Sequence, residues 1–271
     1  MYLYLISAIL LYVVGKVIYD STRLRLEEHD LTQPISPKTQ KPLNILFFSD
    51  LHYRYLWIRQ KDIVRKLKDR PVDLIIFGGD LGYKDAEDAF QWLNDLHKTL
   101  AKMWDKPDLA PILGVWGNHD IKIPRSLSQD ERYQFIENEM HAFTHEGTTW
   151  TVLGLSDLRT NRQGINELLA ANISISDPEH SILIAHNPDT FLLDLPKTRI
   201  ALAGHYHGGQ ICLPFHLEFK LLRPNDQLAK EGIIEGLQKV NGHELLISPG
   251  IGNTFVPIRF FSQSTIHLIK L

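Results

Sequence analysis

From Leu43 onward, short apolar runs that end in polar residues alternate with longer amphipathic stretches. The runs are LNILFFSD, VDLIIFGGD, APILGVWGNHD, TTWTVLGLSD, HSILIAHNPD, RIALAGHYHGGQICLP, ELLISPG and STIHLIKL. They are rich in aliphatic and β-branched residues and have the length of buried strands. Between them, IRQKDIVRKLKD, AEDAFQWLNDLHKTLAKMW and ERYQFIENEMHAF carry helical spacing. The last of these has Ser128 and Glu131 in the arrangement of a capping box. The alternation predicts an α/β protein whose sheets are covered by helices. The stretch PFHLEFKLL, residues 214–222, reads either as an amphipathic strand or core segment, or as a surface that lines an acyl groove or touches a membrane.

The first residues follow a different pattern. From Tyr2 to Tyr19 the only charge is Lys16, and Tyr2, Tyr4 and Tyr19 lie near the ends, where amphipathic rings favour the headgroup level. The length is near the lower limit for crossing a bilayer, and Lys16 can snorkel to one interface. A buried core helix has the same composition. A secretory signal is disfavoured by the lack of a basic leading region and of a small-residue cleavage site. We therefore expect a single-pass membrane anchor over residues 1–20, a linker over 21–42 in which RLRLEEH prolongs the helix and Pro34, Pro37 and Pro42 break it, and one catalytic domain over 43–271. Arg23 and Arg25 follow the segment, so the positive-inside rule sets the domain on the cytoplasmic side.

Composition narrows the classes. With 44% hydrophobic and 23% charged residues, a chain of 271 residues buries a sizeable core and is not wholly disordered. A formal net charge of -3 predicts no broad attraction to nucleic acid. The single cysteine, Cys212, rules out a disulfide within the chain. The 13 histidines direct attention to metal ligands. Oligomeric state leaves no mark in the sequence.

Several apolar runs end in a residue that can ligate metal: Asp50 and His52 as D-x-H, Asp80 in GGD, Asn118 and His119 in GNHD, His186, and His205 and His207 in GHYHGGQ. Each alone has an ordinary explanation as a turn, a cap or a satisfied core histidine. In open α/β sheets, however, ligands gather beyond the carboxyl ends of strands, so residues far apart in sequence can converge on one rim. Oxygen and imidazole donors without thiolate suit Mn, Fe or Zn. Two such ions polarise a phosphoryl group and deprotonate a shared water for in-line attack on phosphorus.

The order D-x-H, GGD, GNHD, H, GH-x-H resembles the calcineurin-like metallophosphoesterases over about residues 43–271. The extended GHYHGGQICLP, followed by SPGIG and Pro257 to Phe260, resembles the bacterial YkuE/YaeI-like phosphodiesterase branch; a related branch hydrolyses UDP-2,3-diacylglucosamine. The resemblance implies a four-layer sandwich of two mixed β-sheets flanked by helices. It implies one divalent ion on Asp50, His52, Asp80 and His207 and a second on Asp80, Asn118, His186 and His205, with Asp80 bridging. His119 would be the general acid and Asp120 the residue that orients it. A phosphodiesterase or pyrophosphatase acting near the membrane, on a substrate that an anchor would make lipid-linked, is the function implied. Tyr206 departs from the branch, which usually has threonine between the two histidines, and so bears on access or shape. The rival readings are a purple-acid-type phosphomonoesterase, for which Tyr83 would be an iron ligand rather than a packing residue, and a non-catalytic scaffold on the same fold. Arg125, Arg132, Arg159 and Arg162 are candidate phosphate clamps.

Overall fold

A computed structural model describes residues 2–32 and 41–271. Pro34 and Pro37 of the expected linker, and the side chains of Tyr83 and Leu222, lie outside the described residues. The strands in chain order are β1 (Leu24–Asp30), β2 (Asn44–Phe48), β3 (Leu74–Phe77), β4 (Ile112–Gly114), β5 (Tyr133–Phe135), β6 (Glu139–His145), β7 (Thr148–Gly154), β8 (Ser181–Ile184), β9 (Ile200–Ala203), β10 (Gly236–Val240), β11 (His243–Ile247) and β12 (Ser264–Lys270). They form two mixed six-stranded sheets, ordered β1-β12-β2-β3-β4-β5 and β10-β11-β9-β8-β7-β6. The helices are α1 (Tyr2–Thr22), α2 (Gln60–Leu67), α3 (Ala86–Met103), α4 (Arg162–Ala170), α5 (Leu217–Leu222) and α6 (Gln227–Lys230).

The period of two along β2 decides the layering. Leu46 and Phe48 face a core shared with Ile63 of α2 and Leu93 and Leu96 of α3. Ile45 and Phe47 face the opposite way, into a core shared with Val152, Ile184 and Leu202 of the other sheet. The outer face of that second sheet packs Leu183, Ala201 and Leu245 against Phe191, Phe219 and Leu228. The α/β character is the one the sequence pattern predicted, and the two mixed sheets flanked by helices are the arrangement the family resemblance implied.

Three local expectations are corrected. Within the stretch expected to be a linker, LRLEEHD forms β1, pairing parallel with β12 from Leu24↔Ser264 to Asp30↔Lys270. The segment alternates: Leu24 and Leu26 turn to the core under α2, while Arg25, Glu27 and His29 fall on the other face. The expected helix ERYQFIENEMHAF is β5 and β6 instead. Asn138 stands between them at φ 55°, which no right-handed helix accommodates. The capping-box residue Ser128 ends a short turn, its hydroxyl donating to the Arg125 carbonyl. Residues 214–222 are not a strand; a turn at Pro214–His216 leads into α5.

None of residues 2–19 of α1 is buried, so α1 is not a core helix. It is long and apolar enough to cross a membrane by length and composition. Its base is tied down. Asp20 accepts from the Phe261 amide at 2.7 Å, Ser21 Oγ accepts from the Arg259 amide at 2.8 Å, and Lys16 Nζ pairs with Asp20 at 2.6 Å.

Candidate metal centre

The carboxyl ends of β2, β3 and β4 in one sheet, and of β8 and β9 in the other, meet at one rim. Asp50, Asp80 and Asn118 come from the first sheet, and His186, His205 and His207 from the second. One ligand atom from each of Asp50, His52, Asp80 and His207 lies within 4.8 Å of all the others, and Asp80, His186 and His205 form a second such group. Asp80 belongs to both: its Oδ2 is 3.3 Å from His52 Nε2 and 3.2 Å from His186 Nε2. His207 Nε2 is 3.2 Å from Asp50 Oδ1, and His205 Nδ1 is 3.2 Å from His186 Nε2.

The backbone bends to achieve this. Asp50, His52, Asp80, His205 and His207 all have positive φ, between 38° and 72°. Such conformations cost of order 1 kcal/mol each and collect at functional sites. Gly117 brings the chain against Asp80, since a Cβ there would stand 2.1 Å from Asp80 Oδ1. That oxygen accepts from the His119 amide at 2.9 Å. Asp120 accepts backbone amides from Asp80, Leu81 and Gly117 at 2.8–2.9 Å and from Gly82 at 3.2 Å. With both of its oxygens so engaged it braces the Asp80 loop, in place of the expected role of orienting the His119 ring. Burial, and next the Asp80 charge, push its carboxyl up to about 6.

The donor set fits divalent cations. The cluster is almost wholly buried, and among its atoms Asn118 Oδ1, His52 Nε2 and His207 Nδ1 have no hydrogen-bond partner within the protein. Buried polar atoms without partners are costly unless a ligand meets them. In the protein alone, burial opposes charge on His186, but the Asp80 carboxylate outweighs it and carries the imidazole up to about 10. His205 is pushed down to about 3, mainly by burial, and burial also holds His207 well below the ordinary value.

A cavity of about 530 Å³ opens over the cluster, lined by Asn118, His119, Arg159, His207, Arg223 and Phe255 among others. His119 is edge-on to His52, with ring centroids 5.2 Å apart. Burial, opposed by Asp80, holds His119 below the ordinary imidazole value. Of the four candidate clamps, Arg159 lines this cavity. Arg125 stacks on Trp116, Arg132 pairs with Asp130, and Arg162 is exposed at the start of α4. Tyr206 turns away from the cleft into the core, donating to Asp189 at 2.7 Å, so it shapes the loop without gating access.

Sequence reasoning missed four residues. Arg223 lines the cavity and donates to the His205 carbonyl at 3.0 Å. Asp226 is buried, pairs with both Arg159 and Arg223, and lies 3.7 Å from His205 Nε2. Gln210 binds the 254–258 loop through both ends of its amide. Arg259, fully buried, donates to the carbonyls of His207, Pro249, Gly250 and Gly252. The adjacency of GGQICLP, SPGIG and P-x-R-F was the available signal for the last two.

A two-sheet α/β sandwich with carboxylates and imidazoles meeting across its strand ends defines a metallophosphoesterase. The chain belongs to the calcineurin-like phosphoesterase family, whose sequence model matches residues 43–222. It is 30% identical over 246 residues to the uncharacterized metallophosphoesterase YkoQ of Bacillus subtilis (strain 168), covering 85% of this chain and 84% of that one. It is 27% identical over 256 residues to the metallophosphoesterase YkuE of the same organism, covering 90% and 84%. To the phosphodiesterase YaeI of Escherichia coli (strain K12) it is 26% identical over 224 residues, covering 79% and 77%.

Proposed function

We propose that the protein is a binuclear phosphodiesterase or pyrophosphatase that works at a membrane surface. The observation that carries the binuclear reading is the membership of Asp80 in both ligand groups. Asp50, His52, Asp80 and His207 would hold one divalent ion, and Asp80, Asn118, His186 and His205 the other; Mn, Fe and Zn all suit these donors. When bound, such a pair supplies Lewis-acid polarisation of a phosphoryl oxygen and acidifies a water. The chain's own groups do the rest. Asp120 and Gly117 fix the Asp80 loop, Arg159 and Arg223 offer guanidinium groups to a phosphate in the cleft, and His119 donates a proton to the departing oxygen.

Two features support the membrane setting. The exposed apolar helix α1 is fastened by Asp20 and Ser21 to the 259–261 loop. Phe255, which lines the cavity, is 88% exposed, and Phe215, Leu221 and Phe261 are also exposed. Large apolar side chains so displayed fit an acyl chain or a bilayer. Arg23 and Arg25 favour the cytoplasmic side.

A metal-supplemented hydrolysis screen tests the proposal by comparing soluble phosphodiesters, phosphomonoesters and lipid-linked pyrophosphates. Diesters or pyrophosphates should be turned over fastest. No turnover above that of Asp80→Ala in any class, with metal shown to be bound, would overturn it.

A further inference from the structure

A second cluster of metal-ligand side chains lies outside this centre, on the edge strand β1 and its neighbour β12. In the parallel register Glu27 is the direct partner of His267, so the two side chains share a face. His29 is two residues along β1 and therefore on that same face. His267 is fully buried with its ring stacked on Phe47, which places the cluster at the margin of the core between the sheets.

Three atoms meet there. His29 Nε2 is 3.2 Å from His267 Nδ1, Glu27 Oε2 is 3.4 Å from His267 Nδ1, and Glu27 Oε2 is 3.9 Å from His29 Nε2. A point equidistant from atoms at these separations lies about 2 Å from each. Zinc bonds to imidazole nitrogen and carboxylate oxygen are about 2.0–2.2 Å long. A single hydrogen joins only two or so of these atoms at a time, whereas a cation accepts a lone pair from all three. The other carboxylate oxygen, Oε1, is 3.2 Å from Arg25 Nη2, and Arg25 Nε donates to Thr265 Oγ1 at 3.2 Å. Arg25 thus holds the carboxylate with Oε2 toward the imidazoles, the kind of outer partner that orients metal ligands. Imidazole nitrogen and carboxylate oxygen are donor types that zinc accepts. Glu27 and His29 are partly exposed, so water can reach a fourth position.

We propose that Glu27, His29 and His267 form a third cation site, separate from the binuclear centre, which takes one zinc ion with a water as fourth ligand. The ion clips β1, and with it the foot of α1, to β12.

The test uses the full chain in detergent, stripped of metal and dialysed against Zn²⁺. The wild type should bind three equivalents, and Glu27→Gln and His29→Gln two each, with phosphoesterase activity within about twofold of wild type. Asp80→Ala should keep the third site. If it retained every equivalent while Glu27→Gln lost one, the binuclear reading would fail and this one would stand. A second readout needs no variant: Zn²⁺ beyond two equivalents should slow hydrogen exchange of the 24–30 backbone at least tenfold. Equal stoichiometry in wild type and both variants, or exchange in 24–30 unmoved by the third equivalent, overturns the site.

Discussion

His119 stands beside the ligand cluster rather than within it, exposed where it faces the cleft. Its amide holds Asp80, but its ring is free of the carboxylates that engage the other imidazoles. His119→Ala should lower the rate about 10²–10⁴-fold, the usual scale for general acid catalysis, with metal content unchanged. The loss should shrink on substrates with very good leaving groups, and an equal loss on nitrophenyl and alkyl esters would remove the proton-donor role. Gly117→Ala tests the brace. Its Cβ would drive Asp80 Oδ1 aside, so both metal content and turnover should fall, turnover by about tenfold or more, given how sharply a 1 Å misplacement costs rate. Full activity with two bound metals would show that the loop yields without moving the carboxylate. The ligand-type residues were legible in the sequence because metal-ligand side chains recur at or just after the ends of several apolar runs, a coincidence that no single turn or cap explains. Arg223 and Asp226 were not legible, and Arg259 showed only as part of the P-x-R-F motif, without its role. They are ordinary charges in sequence, and their meaning comes only from where the 223–226 turn and the 257–260 loop close against His205 and His207.

At the scale of elements, α1 is an apolar rod with a polar foot. Residues 2–12 are all exposed, whereas Lys16 pairs with Asp20, and Asp20 and Ser21 complete the backbone hydrogen bonds of the loop that carries Arg259. Removing residues 2–15 while keeping Lys16, Asp20 and Ser21 should therefore release the protein from membranes and leave its turnover of a soluble diester within a few-fold of wild type. Fractionation and assay check both halves. Tight retention on vesicles would assign the membrane contact to Phe215, Phe255 and their neighbours. Asp20→Ala should act the other way: it leaves the anchor but removes the acceptor of the Phe261 amide and the partner of Lys16, so membrane retention should persist while Tm falls. The buried parallel strands β2, β3, β8 and β9 were readable as continuous apolar runs. The edge strands β1, β5, β6 and β10 were not. An edge strand is half-exposed and mixed in composition, and its pairing partner is remote: β1 finds β12 some 240 residues away. In ERYQFIENEMHAF the helical spacing of apolar residues was real, but Phe135 packs on Trp116 and Phe143 on the inter-sheet core, which only two separate strands allow.

The whole molecule has its candidate centre on the seam between two sheets. Asp50 and Asp80 belong to one and His186 and His205 to the other, so cations shared by both would join the halves of the sandwich as well as serve the reaction. Ligands that bind only the folded state stabilise it in proportion to the logarithm of their concentration over the dissociation constant, about 2.7 kcal/mol at a hundredfold excess. For a domain of this size each kcal/mol moves the melting temperature by about 2–4 °C. Exhaustive chelation should therefore abolish phosphoesterase activity and lower Tm by about 5–10 °C, and Mn²⁺ or Zn²⁺ should restore both. In Asp80→Ala the metal-dependent part of that shift should largely vanish, because Asp80 is the carboxylate common to both ligand groups. In His119→Ala it should persist, because His119 supplies no ligand. A wild-type protein shown to be metal-free that keeps its Tm and its turnover would mean that the buried carboxylates and imidazoles satisfy one another, as the raised His186 and depressed Asp80 allow, without a cation.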